Sequence, residues 1–394
     1  MSIRIAIAGV GNCASALVQG LGYYSSPERT EGLIFPRIGT WHVADIEVVA
    51  AFDVDARKVG RPLSEAIFSP PNCALRFHAP PAHTTMVLLE MGPIHDGIAL
   101  HMANYPADEA FRASTAKPAS IASRLRDAGT DVLVSYMPVG ADCAAKEYAA
   151  ACLDAGVAMV NCSPTFIASN PRWAAKFMSH GVPIVGDDVK SQFGATIVHR
   201  VLARLAEDRG LRTRHMYQLN VGGNTDFLNM LARDRLASKK KSKTDAVQSQ
   251  FSEPMANSDI HVGPSDYVPW LQDNKVCFMR IEGDGFGGVG IDLELRLSVQ
   301  DSPNSAGVVV DAIRCAMLAR ERGHAGPVHE ASSYLMKSPP IQQSDEDARR
   351  AMAAFVEPCQ SDLPFVSHRR VGIDVVVPSE RNDVIDDPGH LVRG

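Results

Sequence analysis

The eight cysteines of this chain, at 13, 73, 143, 152, 162, 277, 315 and 359, form no CxxC pair, and none has a histidine at metal-ligand spacing. That pattern speaks against a structural zinc site, and reduced thiols in a cytoplasmic protein are the simplest reading. No stretch approaches 18 uninterrupted apolar residues, so nothing is expected to span a membrane. There is no basic excess either: the formal net charge is -6, which argues against nucleic acid as the main partner. Internal repeats and low-complexity segments are absent. Lysine itself is scarce, supplying only eleven of the 39 basic residues, yet four of those eleven fall within residues 239–243. What remains is ordinary globular composition, 45% hydrophobic and 21% charged over 394 residues. That length suggests two domains and a large core that needs no cross-links.

The opening MSIRIAIAGVGNCASALVQG has the arginine, short apolar run and small residues of a signal peptide. Gly9 and Gly11 interrupt the run, however, and suit another purpose. From residue 3 to about 220, short apolar β-rich runs alternate with helical stretches. IRIAIAG (3–9), VVAAFDVD (48–55), DVLVSYMPVG (131–140), VAMVNCSP (157–164) and VPIVGDD (182–188) read as buried strands bounded by Gly, Pro, Asp or Asn. DCAAKEYAAACLDAG (142–156) reads as a helix with a glycine stop. Such alternation predicts a parallel sheet covered on both faces. After about 210 the runs HMYQLNV, DIHVGP, KVCFMRIEG and GIDLELRLSV lengthen and partly alternate, as in a more open, one-sided sheet. Residues 302–323 return to an amphipathic helix. Past 360 only VGIDVVVP (371–378) shows periodicity, and the polar end is expected to be mobile.

IRIAIAGVGNCASAL matches G-x-G-x-x-A through Gly9, Gly11 and Ala14, at the end of a strand and the start of a helix, the context that makes the motif informative. Gly9 permits the tight turn, Gly11 lets the backbone approach a pyrophosphate, Ala14 lets helix and strand pack closely, and the helix N-terminus stabilises the anion. Asp53 closes the second strand where ribose hydroxyls would be bound, and an acid there favours NAD over NADP. The gap to Asp53 exceeds the usual spacing of about 20 residues, so YYSSPERTEGLIFPRIGTWHVADI is an insertion. A turn glycine pair with an ordinary strand-end Asp is the competing reading, and the context favours the cofactor.

GDDVKSQFGATIVHRVLARLAED places Asp187 and Asp188 at a strand end and Ser191 at a helix start, where Ser191 would cap the helix and, with Thr196, face an anion such as a substrate phosphate. From this segment alone a plain capping serine is the better account. Lys239 and Lys243 lie four apart, so a helix continuing from Asp226 would project both from one face, with Lys240 and Lys241 pointing elsewhere. On spacing alone a solvated charge run is the commoner outcome.

Five motifs change that weighting: NVGGNTDFLNML with SKKKSKT, GDDVKSQFGAT, SYMPVG, DSPNSAGVVVDA and SSYLMKSPP. Together they resemble myo-inositol-1-phosphate synthase in its shorter prokaryotic form, from residue 3 to about 345. The resemblance implies a Rossmann-like, doubly wound parallel sheet (1–210) with an inserted α+β catalytic and tetramerisation domain (211–305), a return to the first domain (306–360) and a C-terminal extension (361–394). It implies a cytoplasmic homotetramer that converts glucose 6-phosphate to inositol phosphate with no net redox change. Bound NAD oxidises C5, a proton leaves C6, C6 attacks the C1 aldehyde, and the ring ketone is reduced.

Carried over residue by residue, the resemblance puts Lys239 and Lys243 on the C5 oxygen and the phosphate and Lys275 on the phosphate side. Lys337 would stabilise the C1 oxygen or shuttle its proton, and Asp301 would orient a lysine. Asp188 and Ser191 line the site with Thr196, and Asn220, Asn224 and Asp226 surround the nicotinamide and the substrate hydroxyls. Ammonium groups aimed at oxygens that develop charge are what electrostatic catalysis requires. The expected cofactor residues are Gly9, Gly11, Asn12, Ala14, Asp53, Ser135 and Asp187, with no metal ligand cluster. NCSP at 161–164 stands where close bacterial relatives have the more apolar Asn-Ala-Leu-Pro, and Met91 stands where they carry arginine before Gly-Pro. These departures leave open a paralogue acting on fructose 6-phosphate to give a five-membered cyclitol phosphate. A non-catalytic NAD-binding regulator would have lost the lysines or Asp301, and all are present.

Overall fold

The computed structural model describes residues 1–357, apart from the side chains of Ala237, Lys240, Pro264 and Ser265. The run at 371–378 and the polar terminus expected to be mobile lie outside the described residues. The chain opens with β1 (Ile3–Ala8), α1 (Asn12–Tyr23), β2 (Ile46–Asp53), α2 (Leu63–Ala66) and β3 (Glu90–Met91). It continues through α3 (Ile121–Asp127), β4 (Val132–Ser135), α4 (Asp142–Ala155), β5 (Ala158–Asn161), α5 (Pro171–Ser179) and β6 (Pro183–Gly186). Next come α6 (Ala195–Asp208), β7 (Arg212–Gly222), α7 (Thr225–Asn229), α8 (Ala237–Gln248), β8 (Ile260–Tyr267), β9 (Asn274–Asp284) and β10 (Gly290–Gln300). The last elements are α9 (Asp301–Glu321), β11 (Gly326–Pro327), α10 (His329–Leu335) and α11 (Asp345–Val356).

Among the described residues these strands form two sheets. The first is seven-stranded and parallel, in the order β11-β6-β5-β4-β1-β2-β3. Its strands are apolar on both faces because both are covered. Ile3, Ile5 and Ile7 pack with α1 and α9 through Leu17, Val309 and Ile313. Ala6 and Ala8 turn to the opposite side, toward Leu125, Tyr148 and Cys152 of α3 and α4. The strand order reverses between β1 and β4, and in open α/β sheets a crevice forms at such a point, outside the carboxyl ends of the strands.

The second sheet has the order β10-β9-β7-β8, with β9 antiparallel to both neighbours and β7 parallel to β8. Met216, Ile260, Val262 and Ile281 cover one face against Ala203 of α6 and Val247 of α8. The other face carries Phe278 and the exposed residues of β10, which is the one-sided burial that partial alternation predicts. Two local expectations need correction. α6 starts at Ala195 with Gly194 at its cap, so Ser191 does not cap it. Nor does a single helix run from Asp226 to the lysines: α7 ends at Asn229, and α8 starts afresh at Ala237. No helix among the described residues is long and apolar enough to cross a membrane.

Candidate active site

One cavity lies at the carboxyl ends of β1, β2 and β4 and extends under the second sheet. At its first end, Gly9 turns the chain with φ +89°, and a Cβ there would stand 2.9 Å from the Tyr136 carbonyl oxygen. A Cβ on Gly11 would meet nothing within 4 Å, so the backbone is open to the cavity at that point. α1 then begins at Asn12 with no acid in its first turn, which leaves its first amides and the positive end of its dipole available to an anion. Asp53 latches this loop to β2: its Oδ2 accepts from the Val10 amide (2.7 Å) and its Oδ1 from the Val54 and Asp55 amides (2.7 and 2.8 Å). Asn12 Oδ1 accepts from the Cys73 and Ala74 amides, at 2.7 and 3.0 Å, and holds that segment beside the loop.

The adjacent acids after β6 have opposite roles. Asp187 points into the protein, not the cavity. Its carboxylate accepts from the Ile167, Ala168 and Ser169 amides, the Ser169 hydroxyl and Asn161 Nδ2, and burial nonetheless pushes its pKa up to about 6. Asp188, at φ +60°, lines the cavity although only 1% exposed. It meets Lys337 Nζ at 2.9 Å and Lys239 Nζ at 3.7 Å and accepts from Ser242 Oγ at 2.7 Å. Burial opposes its ionisation, but Lys239 and Lys337 outweigh it and hold the carboxyl well below the usual range.

α8 presents Lys239, Ser242 and Lys243 on its cavity side, the i, i+3, i+4 positions of one face. Lys241 points outward, is 65% exposed and pairs with Asp245. Lys275 of β9 pairs with Asp301 in the first turn of α9. Lys337, after α10, also donates to the Val189 carbonyl at 2.6 Å. Lys243 is the exception: among the described residues it has no carboxylate partner, though it is only 8% exposed. Burial, and then the charges of Lys239, Lys337 and Lys275, push its pKa down to about 7. Burial also lowers Lys337, with Asp188 offsetting part. For Lys239 burial is outweighed by Asp188, Asp226 and Asp301, and its pKa rises. Asp301 is half-buried, and although desolvation opposes its ionisation, Lys275, Lys337 and Lys239 hold it low. The site therefore holds one lysine firmly charged, Lys239, and one that can exchange a proton near neutrality, Lys243, while Lys337 lies below the ordinary lysine value.

The sequence profile described as Myo-inositol-1-phosphate synthase matches residues 194–302, which include all three α8 residues, Lys275 and Asp301. The chain is 52% identical over 362 residues to the inositol-3-phosphate synthase of Mycolicibacterium smegmatis, covering 90% of this chain and 98% of that protein. The chain belongs to the myo-inositol-1-phosphate synthase family. The inositol-3-phosphate synthase of Corynebacterium glutamicum is similar to the same extent, 52% over 363 residues, 90% of this chain and 98% of that one. Among solved structures, that of Ari2 is 36% identical with a TM-score of 0.72, covering 90% of this chain and 98% of that one. A myo-inositol-1-phosphate synthase-related protein from Thermotoga maritima shares the fold at 23% identity and a TM-score of 0.73, over 90% and 98% of the two chains. The protein is thus an enzyme of the inositol-phosphate synthase type.

Set on this family fold, most of the sequence-derived residues line the one cavity: Gly9, Gly11, Asn12, Asp53, Asp188, Ser191, Thr196, Asn220, Asn224, Asp226, Asp301 and the four lysines. Three do not. Ala14 is buried in the core beneath the loop, Ser135 is fully buried with its hydroxyl unpartnered among the described residues, and Asp187 braces residues 167–169. Sequence reasoning missed Ser242, for which the i+3 step from Lys239 was the available signal. It also missed Asp273, which is 1% exposed. Asp273 accepts from Asn224 Nδ2 (3.1 Å) and from the Ser302 amide and hydroxyl (3.0 and 2.8 Å), so it binds α7 to the start of α9. Burial and then Asp301 push its pKa up to about 6. Gln218, in the cavity wall, was missed as well.

Proposed function

We propose that this enzyme converts D-glucose 6-phosphate to 1L-myo-inositol 1-phosphate by an NAD-dependent, redox-neutral cyclisation. The observation that carries the proposal is Lys243, a buried amine with no carboxylate partner among the described residues, in a ring of lysines that opens onto the same cavity as the glycine loop. A group of that kind needs an anion from outside the chain, and a sugar phosphate supplies one.

The residues at the other end suit NAD. The turn at Gly9 has no room for a side chain, Gly11 faces open space, the first turn of α1 carries no acid, and Asp53 closes β2. Gly9, Gly11, Asn12 and Asp53 would hold the dinucleotide, which when bound supplies reversible two-electron oxidation of the C5 alcohol. Lys243 and Lys275 take the phosphate, with Thr196 at the N-terminus of α6 and Ser191 beside it. Lys239, kept charged by three carboxylates, steadies the negative charge that develops on the C5 oxygen. Lys337, whose pKa burial lowers, holds or returns a proton at the C1 oxygen as the C6–C1 bond forms. Asp188 fixes Lys239 and Lys337 relative to each other, and Asp301 does the same for Lys275. Asn220, Asn224 and Asp226 orient the hydroxyls, and holding both ends of a flexible open-chain sugar is much of the catalysis. Residues 211–305 serve as the catalytic and tetramerisation unit of a cytoplasmic homotetramer.

Phosphorus NMR of the protein with NAD, offered glucose 6-phosphate and fructose 6-phosphate separately, tests this reading. Inositol phosphate formed from glucose 6-phosphate without NADH build-up is the expected result. Turnover of fructose 6-phosphate alone would overturn it in favour of a five-membered product.

A further inference from the structure

We propose that Gln218 is a substrate-recognising residue that gives one carboxamide N–H to an oxygen of the sugar phosphate, with His199 setting its orientation. The inference rests on the reading of the cavity given above and names a contact within it.

Gln218 and Asn220 are two apart on β7, so both side chains leave the strand on one face, and both line the cavity. His199, three residues after Thr196 on α6, is fully buried behind them. The three side chains form a chain of hydrogen bonds whose direction is fixed from its far end. The Gly263 carbonyl can only accept, so Asn220 Nδ2 donates to it, at 2.6 Å. Asn220 Oδ1 then faces back and accepts from Gln218 Nε2 at 3.2 Å. That leaves Gln218 Oε1 to accept from His199 Nδ1, also at 3.2 Å, which assigns His199 the neutral tautomer protonated at Nδ1. Burial, partly offset by the bond to Gln218, keeps the imidazole neutral by pushing its pKa down to about 4.

A carboxamide has two N–H groups and one carbonyl oxygen. On Gln218 the oxygen is taken by His199 and one N–H by Asn220, and among the described residues the second N–H has no protein partner. The residue is only 1% exposed, and donors this buried are paired almost without exception. The partner that remains is an acceptor within the cavity, where Thr196, Lys243 and Lys275 share the wall. His199 Nε2 is likewise buried with no partner among the described residues. The histidine therefore touches the site only through Gln218, which makes it a positioning residue.

The test measures steady-state kinetics with glucose 6-phosphate at saturating NAD for Gln218→Met, Gln218→Asn, His199→Leu and Gln218→Met/His199→Leu. Gln218→Met keeps the length and loses the donor, and Gln218→Asn keeps the amide but not its reach, so one reports if the other fails to fold. If the acceptor is a sugar hydroxyl, KM rises roughly three- to tenfold while inhibition by inorganic phosphate is unchanged. If it is a phosphate oxygen, KM rises roughly ten- to a hundredfold and the inhibition constant of inorganic phosphate rises with it. Either supports the proposal. His199→Leu should raise KM in the same direction, and the double variant should be no worse than Gln218→Met alone. KM within twofold of wild type for both Gln218 variants, or losses that add in the double variant, overturns it. Calorimetric binding of glucose 6-phosphate and fructose 6-phosphate is measured on the same proteins. Wild-type binding that depends on Gln218, without turnover of glucose 6-phosphate, sinks the proposed reaction and keeps this contact. Turnover that does not depend on Gln218 sinks the contact alone.

Discussion

Lys243 is where binding and stability conflict most directly. Its pKa falls from the ordinary lysine value of 10.5 to about 7 because it is buried beside three other lysines with no carboxylate partner among the described residues. Between those two values the unfolded chain holds the proton and the folded chain releases it, so this residue's contribution to stability rises with pH across that window. Below about pH 7 the folded protein must carry a buried, unneutralised charge. A bound phosphate reverses this, since it favours the charged amine, and binding should take up a proton when the pH lies above 7. Lys243→Met removes the charge and keeps the apolar stem. The ligand-free variant should melt roughly 2–4 °C higher at pH 7, the shift given by about 1 kcal/mol. Its turnover should fall roughly a hundredfold or more. Thermal melts at pH 6, 7 and 9 check the sign, because the gain should shrink as pH rises; a gain that grows with pH would mean that Lys243 is not the group being relieved.

The helix that carries this lysine shows how much of the site the sequence contained. The four-residue step from Lys239 to Lys243 was legible, and so was the step that turns Lys241 away. The start of α8 was not, because residues 230–236 read as good helix and the break comes from tertiary packing of Met230 and Leu236 against Val139 and Phe227. Ser242 went unread because a serine in a lysine run looks like solvent-facing filler, whereas its hydroxyl is donated to a buried carboxylate 54 residues away. The strands of the parallel sheet were legible from their apolar runs between turn residues, but which of two adjacent acids after β6 faces the cavity was not. The backbone turn at Asp188 decides that, and no periodicity reports it. One prediction belongs to this helix. Lys241→Ala should leave kcat/KM within about twofold, because an exposed i, i+4 pair contributes little. Ser242→Ala removes a hydrogen bond to a buried charge, worth about 1.5–3 kcal/mol, and should lower kcat roughly ten- to a hundredfold through misplacement of Lys239 and Lys337. Equal losses in the two variants, measured side by side, would refute the assignment of faces.

At the scale of the molecule, the cavity joins two chemistries built by two sheets. The parallel sheet supplies the glycine turn and Asp53 at its carboxyl edge, and the second sheet with α8 supplies the cations and amides. The parallel half was legible because its pattern is local: strand, glycine turn, helix, acid. The meeting of Lys275, Asp301 and Lys337 with α8 is set by chain segments up to about a hundred residues apart, which only the family motifs brought together at the sequence level. A ligand that spans the cavity binds the folded state alone, so it should stabilise the protein by about 2.7 kcal/mol at a hundred times its Kd. NAD should show this. NADP should bind roughly tenfold more weakly or worse, because the Asp53 carboxylate would face its extra phosphate, and a tenfold loss corresponds to about 1.4 kcal/mol. Asp53→Asn removes the charge and keeps one acceptor oxygen for the Val10 amide, at the expense of the bonds that the other oxygen accepts from the Val54 and Asp55 amides. It should therefore weaken NAD somewhat and narrow the gap between the two dinucleotides without abolishing NAD binding. Melting curves with each dinucleotide, on wild type and Asp53→Asn, separate the possibilities. Equal shifts by NAD and NADP in the wild type would move the ribose site away from the end of β2, and the orientation of the substrate beneath the lysines would have to be drawn again from the other end.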